Sequence, residues 1–126
     1  MAHMEYRRLP DAELEVMQAL WACEGPATRA EIQNRLTPGR SMAPTTLLTL
    51  LARLGEKGFV RSEKAGRSAR YTPLVSRQEY LARQSSRFFH QLCGGSLPAF
   101  ASALCDSGLS REELEELGRL LERGQL

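Results

Sequence analysis

The sequence predicts a mainly α-helical fold: a winged helix-turn-helix of three helices and a β-hairpin wing, followed by a C-terminal helical dimerisation arm. Three observations predict it. Three helical segments with recognisable start and stop signals precede two strand-like runs around a basic, glycine-containing turn. After Pro73 the pattern becomes wholly helical and rich in leucine. The basic residues crowd into the stretch that forms the third helix and the wing. At 126 residues the chain has the size of one domain with an appendage, divided here into a head over 4–75 and an arm over 76–126. A hydrophobic share of 42% is enough for a core. Met1-Ala2-His3 ahead of Met4 resembles a cloning remnant and carries no weight for the fold.

Leu14, Met17, Leu20 and Trp21 recur at helical spacing after Asp11, which can act as N-cap, and Gly25-Pro26 stops the run. Glu13 and Glu15 are expected on the solvated face of this first helix. Thr28 followed by Glu31 is a capping box for a short second helix that turns Ile32 and Leu36 inward and ends before Thr37-Pro38-Gly39.

The third helix runs from Ser41 to Lys57, with Ser41 as cap and Pro44 in the first turn, where a missing N–H costs little. At 100° per residue Leu47, Leu50, Leu51 and Leu54 form one apolar stripe. Thr45, Thr49, Ala52, Arg53 and Glu56 fall on the opposite side, with Thr46 at its margin. Small hydroxyl residues and one Arg suit the floor of a DNA major groove: Thr methyls touch thymine, hydroxyls reach phosphates or base edges, and Arg grips guanine or phosphate.

Gly58 ends that helix. Phe59 to Glu63 and Ala69 to Thr72 then read as two short strands, joined by the turn Lys64-Ala65-Gly66-Arg67-Ser68. Three helices followed by a basic hairpin is the order of a winged helix-turn-helix, and it brings Lys64, Arg67 and Arg70 to a phosphate backbone. The formal charge of +2 gains meaning once it is located. From Arg29 to Arg70 there are nine basic residues against three acidic ones, so the remainder of the chain is net acidic. Such segregation points to a half that meets a polyanion and a half that meets a protein.

In the arm, Ser76 with Glu79 is a second capping box, opening a helix whose inward residues include Tyr80, Leu81, Phe88, Phe89 and Leu92. Gly94-Gly95 breaks it. A short helix from Ser96 to Cys105 carries Leu97, Phe100, Ala101 and Leu104. Ser110 with Glu113 then caps a last helix bearing Leu114, Leu117, Leu120 and Leu121. Three short amphipathic helices cannot bury these side chains alone, so a second copy of the chain is the natural partner, with Phe100, Leu104, Leu114, Leu117 and Leu121 at the interface.

Other function classes find little support. Cys23, Cys93 and Cys105 are odd in number and widely spaced, and none sits in a C-x-x-C pair. His90 with Cys93 supplies two ligands where a closed zinc site needs four, so no metal and no cofactor are expected. The cysteines read as small buried apolar residues. One native histidine, no phosphate-binding glycine loop and no nucleophile–base pair argue against an enzyme. No run approaches the roughly 18 apolar residues of a membrane helix and no signal peptide is visible, so a cytoplasmic protein is expected. A winged-helix adapter for another protein, or a regulator with an effector pocket between arm and head, are the alternatives. The surplus of positive charge on the third helix and wing favours double-stranded DNA.

Several stretches together resemble the penicillinase-repressor family, which includes the methicillin-resistance repressors. They are Leu14-Glu15-Val16-Met17 before Leu20-Trp21, Thr45 to Leu54 followed by Lys57-Gly58-Phe59-Val60, and Gly66-Arg67 leading to Arg70-Tyr71-Thr72-Pro73-Leu74-Val75-Ser76. Gly95-Ser96-Leu97 and Glu112-Glu113-Leu114 complete a likeness that covers the chain from Leu9 to Leu121. The resemblance implies a homodimer that binds an inverted-repeat operator and blocks transcription. It implies recognition through the Ser41-to-Lys57 helix, dimerisation through the last helices, and induction by a membrane sensor that triggers proteolytic cleavage. The family's cut, typically between Asn and Phe, corresponds here to Ala103 and Leu104. Copper-responsive relatives carry Cys-x-Cys pairs near the C-terminus, and this sequence has none.

Overall fold

A computed structural model describes residues 8–124. The stretch that resembles a cloning remnant lies outside them, as do the outer ends of the two expected domains. In order come α1 (Asp11–Ala22), β1 (Ala27–Thr28), α2 (Arg29–Asn34), α3 (Pro44–Glu56), β2 (Val60–Ala65), β3 (Ser68–Pro73), α4 (Arg77–Arg87), a single π-helical turn (Phe88–Leu92), α5 (Leu97–Cys105) and α6 (Arg111–Arg123). The chain divides into two compact units, one reaching to Gln84 and the other starting at Ser85, so the boundary falls inside α4.

The first unit is the winged-helix head. Its core takes Val16, Met17, Ala19 and Leu20 from α1, Ile32 from α2, and the full stripe Leu47, Leu50, Leu51 and Leu54 from α3. Phe59, Val60 and Val75 close it from the hairpin side. Tyr80 on the first turn of α4 belongs to this core as well. Its ring lies 5.9 Å from Trp21 and 6.0 Å from Phe59, and its hydroxyl accepts the Leu9 N–H at 2.9 Å. Trp21 Nε1 in turn donates to the Val75 carbonyl at 2.9 Å, which fastens the chain leaving the wing onto α1.

The capping boxes at Thr28, Ser76 and Ser110 all form. In each, the hydroxyl accepts the N–H three residues on while the glutamate there accepts the N–H of the capping residue. Two other starts differ from expectation. Asp11 lies inside the first turn of α1, because Pro10 holds the extended backbone of the N-cap and its carbonyl accepts the Leu14 N–H at 2.9 Å. Ser41 likewise does not cap α3. Ala43 takes that place without a side-chain bond, since Pro44 at the first helical position biases its predecessor to extended backbone.

Ala27–Thr28 is a third strand, which makes the sheet β1-β3-β2 with every neighbour antiparallel. The extended backbone at Thr28 that the cap requires also brings this pair beside β3, opposite Tyr71 and Arg70. The wing turn is tighter than the sequence suggests. Ala65 pairs with Ser68, leaving only Gly66-Arg67 between the strands. Gly66 adopts φ 67°, a left-handed conformation that hairpins of this length favour and glycine reaches without steric cost.

Glu13 and Glu15 are not a solvated face. Glu13 is 3% exposed, and its carboxylate receives a hydrogen bond from Lys57 Nζ at 2.5 Å, across from α1 to the end of α3. Glu15 pairs with Arg40 ahead of α3 at 3.6 Å. The cysteines also differ from expectation: Cys23 and Cys93 are half-buried and Cys105 is exposed. Partial burial pushes the Cys23 thiol above its usual range, aided by Glu31 and opposed by Arg35.

The second unit has no buried side chain in its helices. Phe88, Phe89 and Phe100 form its apolar centre, with ring centroids 5.7 and 5.6 Å apart. The expectation that Leu81 and Leu92 turn inward fails, since they are 43% and 78% exposed, while Phe88 packs on Phe100 and still leaves 36% of its surface open. Leu97 and Leu121 are exposed too.

Removing the cation from the buried Glu13 should destabilise the head. Lys57→Ala is expected to cost about 3 kcal/mol in urea unfolding followed by Trp21 fluorescence, and Glu13→Leu with Lys57→Met should restore most of that. A loss below about 0.5 kcal/mol would mean that the pair behaves like a surface ion pair.

Candidate nucleic-acid interface

α3 is held in a fixed rotation by its buried stripe, which decides what its other side presents. Leu47, Leu50, Leu51 and Leu54 are at most 6% exposed. Thr45, Thr46, Thr49, Ala52, Arg53 and Glu56 are all exposed. Ser41 is exposed in the segment before the helix. Polar anchors fix the helix along its length: Arg40–Glu15 ahead of it, Lys57–Glu13 at its end, and Gln33 Nε2 donating to the Met42 carbonyl at 2.6 Å. The helix N-terminus has no side-chain cap, and Pro44 carries no N–H, so Thr45 and Thr46 supply the N–H groups of its first turn, an end favourable to anions.

Lys64, Arg67 and Arg70 are exposed on the wing but do not share one face. Arg67 sits at the tip. Strand alternation and the pairing of Glu63 with Arg70 put Arg70 on the face of Arg61 and Glu63. Lys64 lies on the other face with Ser62 and Tyr71, which line a recess against α3. Among the described residues no ion pair within the chain engages Arg53, Lys64, Arg67 or Arg70, whereas Arg40, Lys57 and Arg61 each have a carboxylate partner. The four cations are therefore available to an external polyanion.

The threonines are not equivalent. Thr49 Oγ1 donates to the Thr45 carbonyl at 3.0 Å, so its single hydroxyl hydrogen is committed to the helix. It offers a methyl group and acceptor lone pairs outward, and no donor. Leu48, which the stripe argument passes over, is 44% exposed on the flank of α3 toward the wing. A single apolar residue out of period was the only signal for it. Among the described residues no cluster of three or more metal-ligating side chains exists, and no helix is long and apolar enough to cross a membrane.

A third helix with its apolar side sealed and its polar side open, beside a basic hairpin, defines a winged-helix DNA-binding protein. Comparison with known proteins supplies the particular family. The family model described as penicillinase repressor matches residues 9–123. The penicillinase repressor of Bacillus licheniformis is 34% identical over 116 residues, covering 91% of this chain and 90% of that protein. The methicillin resistance regulatory protein MecI of Staphylococcus aureus is 27% identical over 116 residues, covering 91% and 94%. The DNA-binding domain of the repressor BlaI, solved in solution, superposes with a TM-score of 0.51 at 32% identity, covering 64% of this chain and 94% of that one. The chain belongs to the penicillinase repressor family of DNA-binding transcriptional repressors, which is not a family of enzymes.

Two measurements separate the roles of helix and wing. Arg53→Ala should weaken binding to a selected duplex by about 1–3 kcal/mol and relax specificity at one base pair. Unchanged affinity for both selected and random DNA would remove Arg53 from the interface. Arg67→Ala should lower the slope of log affinity against log salt by about one unit without changing sequence preference. An unaltered slope with a changed preference would mean that the wing reads bases.

Proposed function

We propose that this repressor acts as a cytoplasmic homodimer on an inverted-repeat operator, with Ser41, Thr45, Thr46, Thr49 and Arg53 meeting the major groove. Lys64, Arg67 and Arg70 grip the flanking phosphates. The dimerising arm follows the first turns of α4, whose Tyr80 packs in the head's core, and Phe100, Leu104, Leu114, Leu117 and Leu121 meet the partner copy. The observation that carries the dimer is the arm's surface: α5 and α6 contain no buried residue, and Leu97 and Leu121 are 69% and 57% exposed. An isolated unit of this composition leaves its apolar surface in water, and a second copy removes it.

Dimerisation also explains how such a protein is switched. One head makes few contacts, while two heads on one scaffold gain about 10²–10⁴ in affinity through effective concentration. Displacing the arm therefore releases DNA without altering α3. Ala103 and Leu104 are half-buried on α5, which is bounded by Gly94-Gly95 and Gly108, all at positive φ. These hinges let α5 open locally to a protease under the control of a sensor.

Sedimentation and DNA affinity test this together. The full chain should be a dimer at tens of micromolar protein. Leu117→Glu, and a chain ending at Ala103, should sediment as monomers with folded heads and bind the selected duplex about 10²–10⁴ times more weakly. A monomeric full chain, or equal affinities at one salt concentration, would contradict the proposal.

A further inference from the structure

α3 carries one large apolar side chain outside its buried stripe. Leu48 is 44% exposed, and single exposed leucines are ordinary on protein surfaces. Its surroundings give it significance. It lines two shallow recesses beside the hairpin, one of them also walled by Thr28 to Ala30, and Tyr71 lines the two of them as well. At 100° per residue it lies beside Thr45 and Ala52, at the margin of the outward side nearest the wing, with Thr49 beyond Ala52. Ala52 is exposed and offers only a methyl group. Thr49 has committed its hydroxyl hydrogen to the Thr45 carbonyl, which leaves its own methyl as a further apolar surface.

Leu48 and Ala52, one turn apart, thus form an apolar edge on a helix side otherwise built for polar contacts, with Thr49 and then Arg53 following around the helix. Such an edge cannot match the donor and acceptor pattern of guanine, cytosine or adenine. In the major groove the one apolar group at a base edge is the C5-methyl of thymine. We propose that Leu48 is a specificity-determining residue, selecting half-sites by packing against a thymine C5-methyl. This rests on the reading of α3 as the helix that enters the major groove.

The test starts by selecting high-affinity duplexes for the full chain from a randomised pool at one salt concentration. Each thymine of the best site is then replaced singly by deoxyuracil, which removes the methyl and leaves base pairing intact. Affinities are measured by fluorescence anisotropy for the wild-type chain and for Leu48→Ala, whose fold is checked by Trp21 fluorescence. At one thymine in each half-site, deoxyuracil should weaken wild-type binding about fourfold, the worth of one buried methyl. The same replacement should leave Leu48→Ala unaffected. Tolerance of deoxyuracil at every thymine, or a penalty that persists in Leu48→Ala, would overturn the proposal. Failure to select any duplex would overturn the reading of α3 and the proposal with it, and the selection step alone distinguishes that outcome.

Discussion

Four leucines on one side of α3 carry the head, and everything the head presents follows from their burial. Each fully buried leucine contributes about 1.5–3 kcal/mol, so the stripe outweighs any surface ion pair in the unit several-fold. Turning the helix by one residue would swing Leu47, Leu50, Leu51 and Leu54 through about 100° and expose them. The rotation of α3 is thereby fixed, and Thr45, Thr49, Ala52 and Arg53 face outward as the unavoidable complement. Reading DNA from such a surface demands no separate device, because the core that makes the head stable also aims it.

Rotation alone does not fix a helix along its axis, and here polar groups take over. The buried Glu13 carboxylate holds Lys57 at the C-terminal end of α3, while Glu15 and Arg40 hold the segment before it. The two carboxylates lie two residues apart on α1, on different sides of it, yet serve opposite ends of one helix. Such a pair, with Glu13 buried and Lys57 at the surface, adds little net stability, since desolvation of the carboxylate offsets much of its attraction. It is nonetheless directional, which apolar contacts are not. In the second unit no helix has a buried residue, no comparable ion pair occurs among the described residues, and the cluster of Phe88, Phe89 and Phe100 holds it together.

The stripe, the three capping boxes and the order of helices and hairpin were legible in the sequence, because each rests on interactions within a few residues or on one periodicity. The remainder depended on distant partners. Glu13 reads as an ordinary surface acid until Lys57, 44 residues on, is seen to reach it. The strand at Ala27–Thr28 is too short for a periodic signal and exists through its pairing with β3. Asp11 and Ser41 are good capping residues displaced by prolines, Pro10 taking the cap position itself and Pro44 placing it at Ala43. In the candidate site, the exposed threonines and Arg53 follow from the helical wheel. The loss of Thr49's donor, the opposite faces of Lys64 and Arg70, and the apolar edge at Leu48 needed coordinates. The exposure of Leu81 and Leu92 defeats single-chain reasoning for another reason: amphipathicity shows that a face is to be covered, not by which chain.

The central claim is that the outward side of α3 and the wing form the DNA-contacting surface of this repressor. Amide chemical-shift mapping of the full chain, titrated with a selected duplex, measures it directly. The account predicts the largest shifts at residues 41–57 and 64–70, with α1 and the interior of α6 little changed. Shifts concentrated in residues 97–123, with those of α3 unmoved, would contradict it.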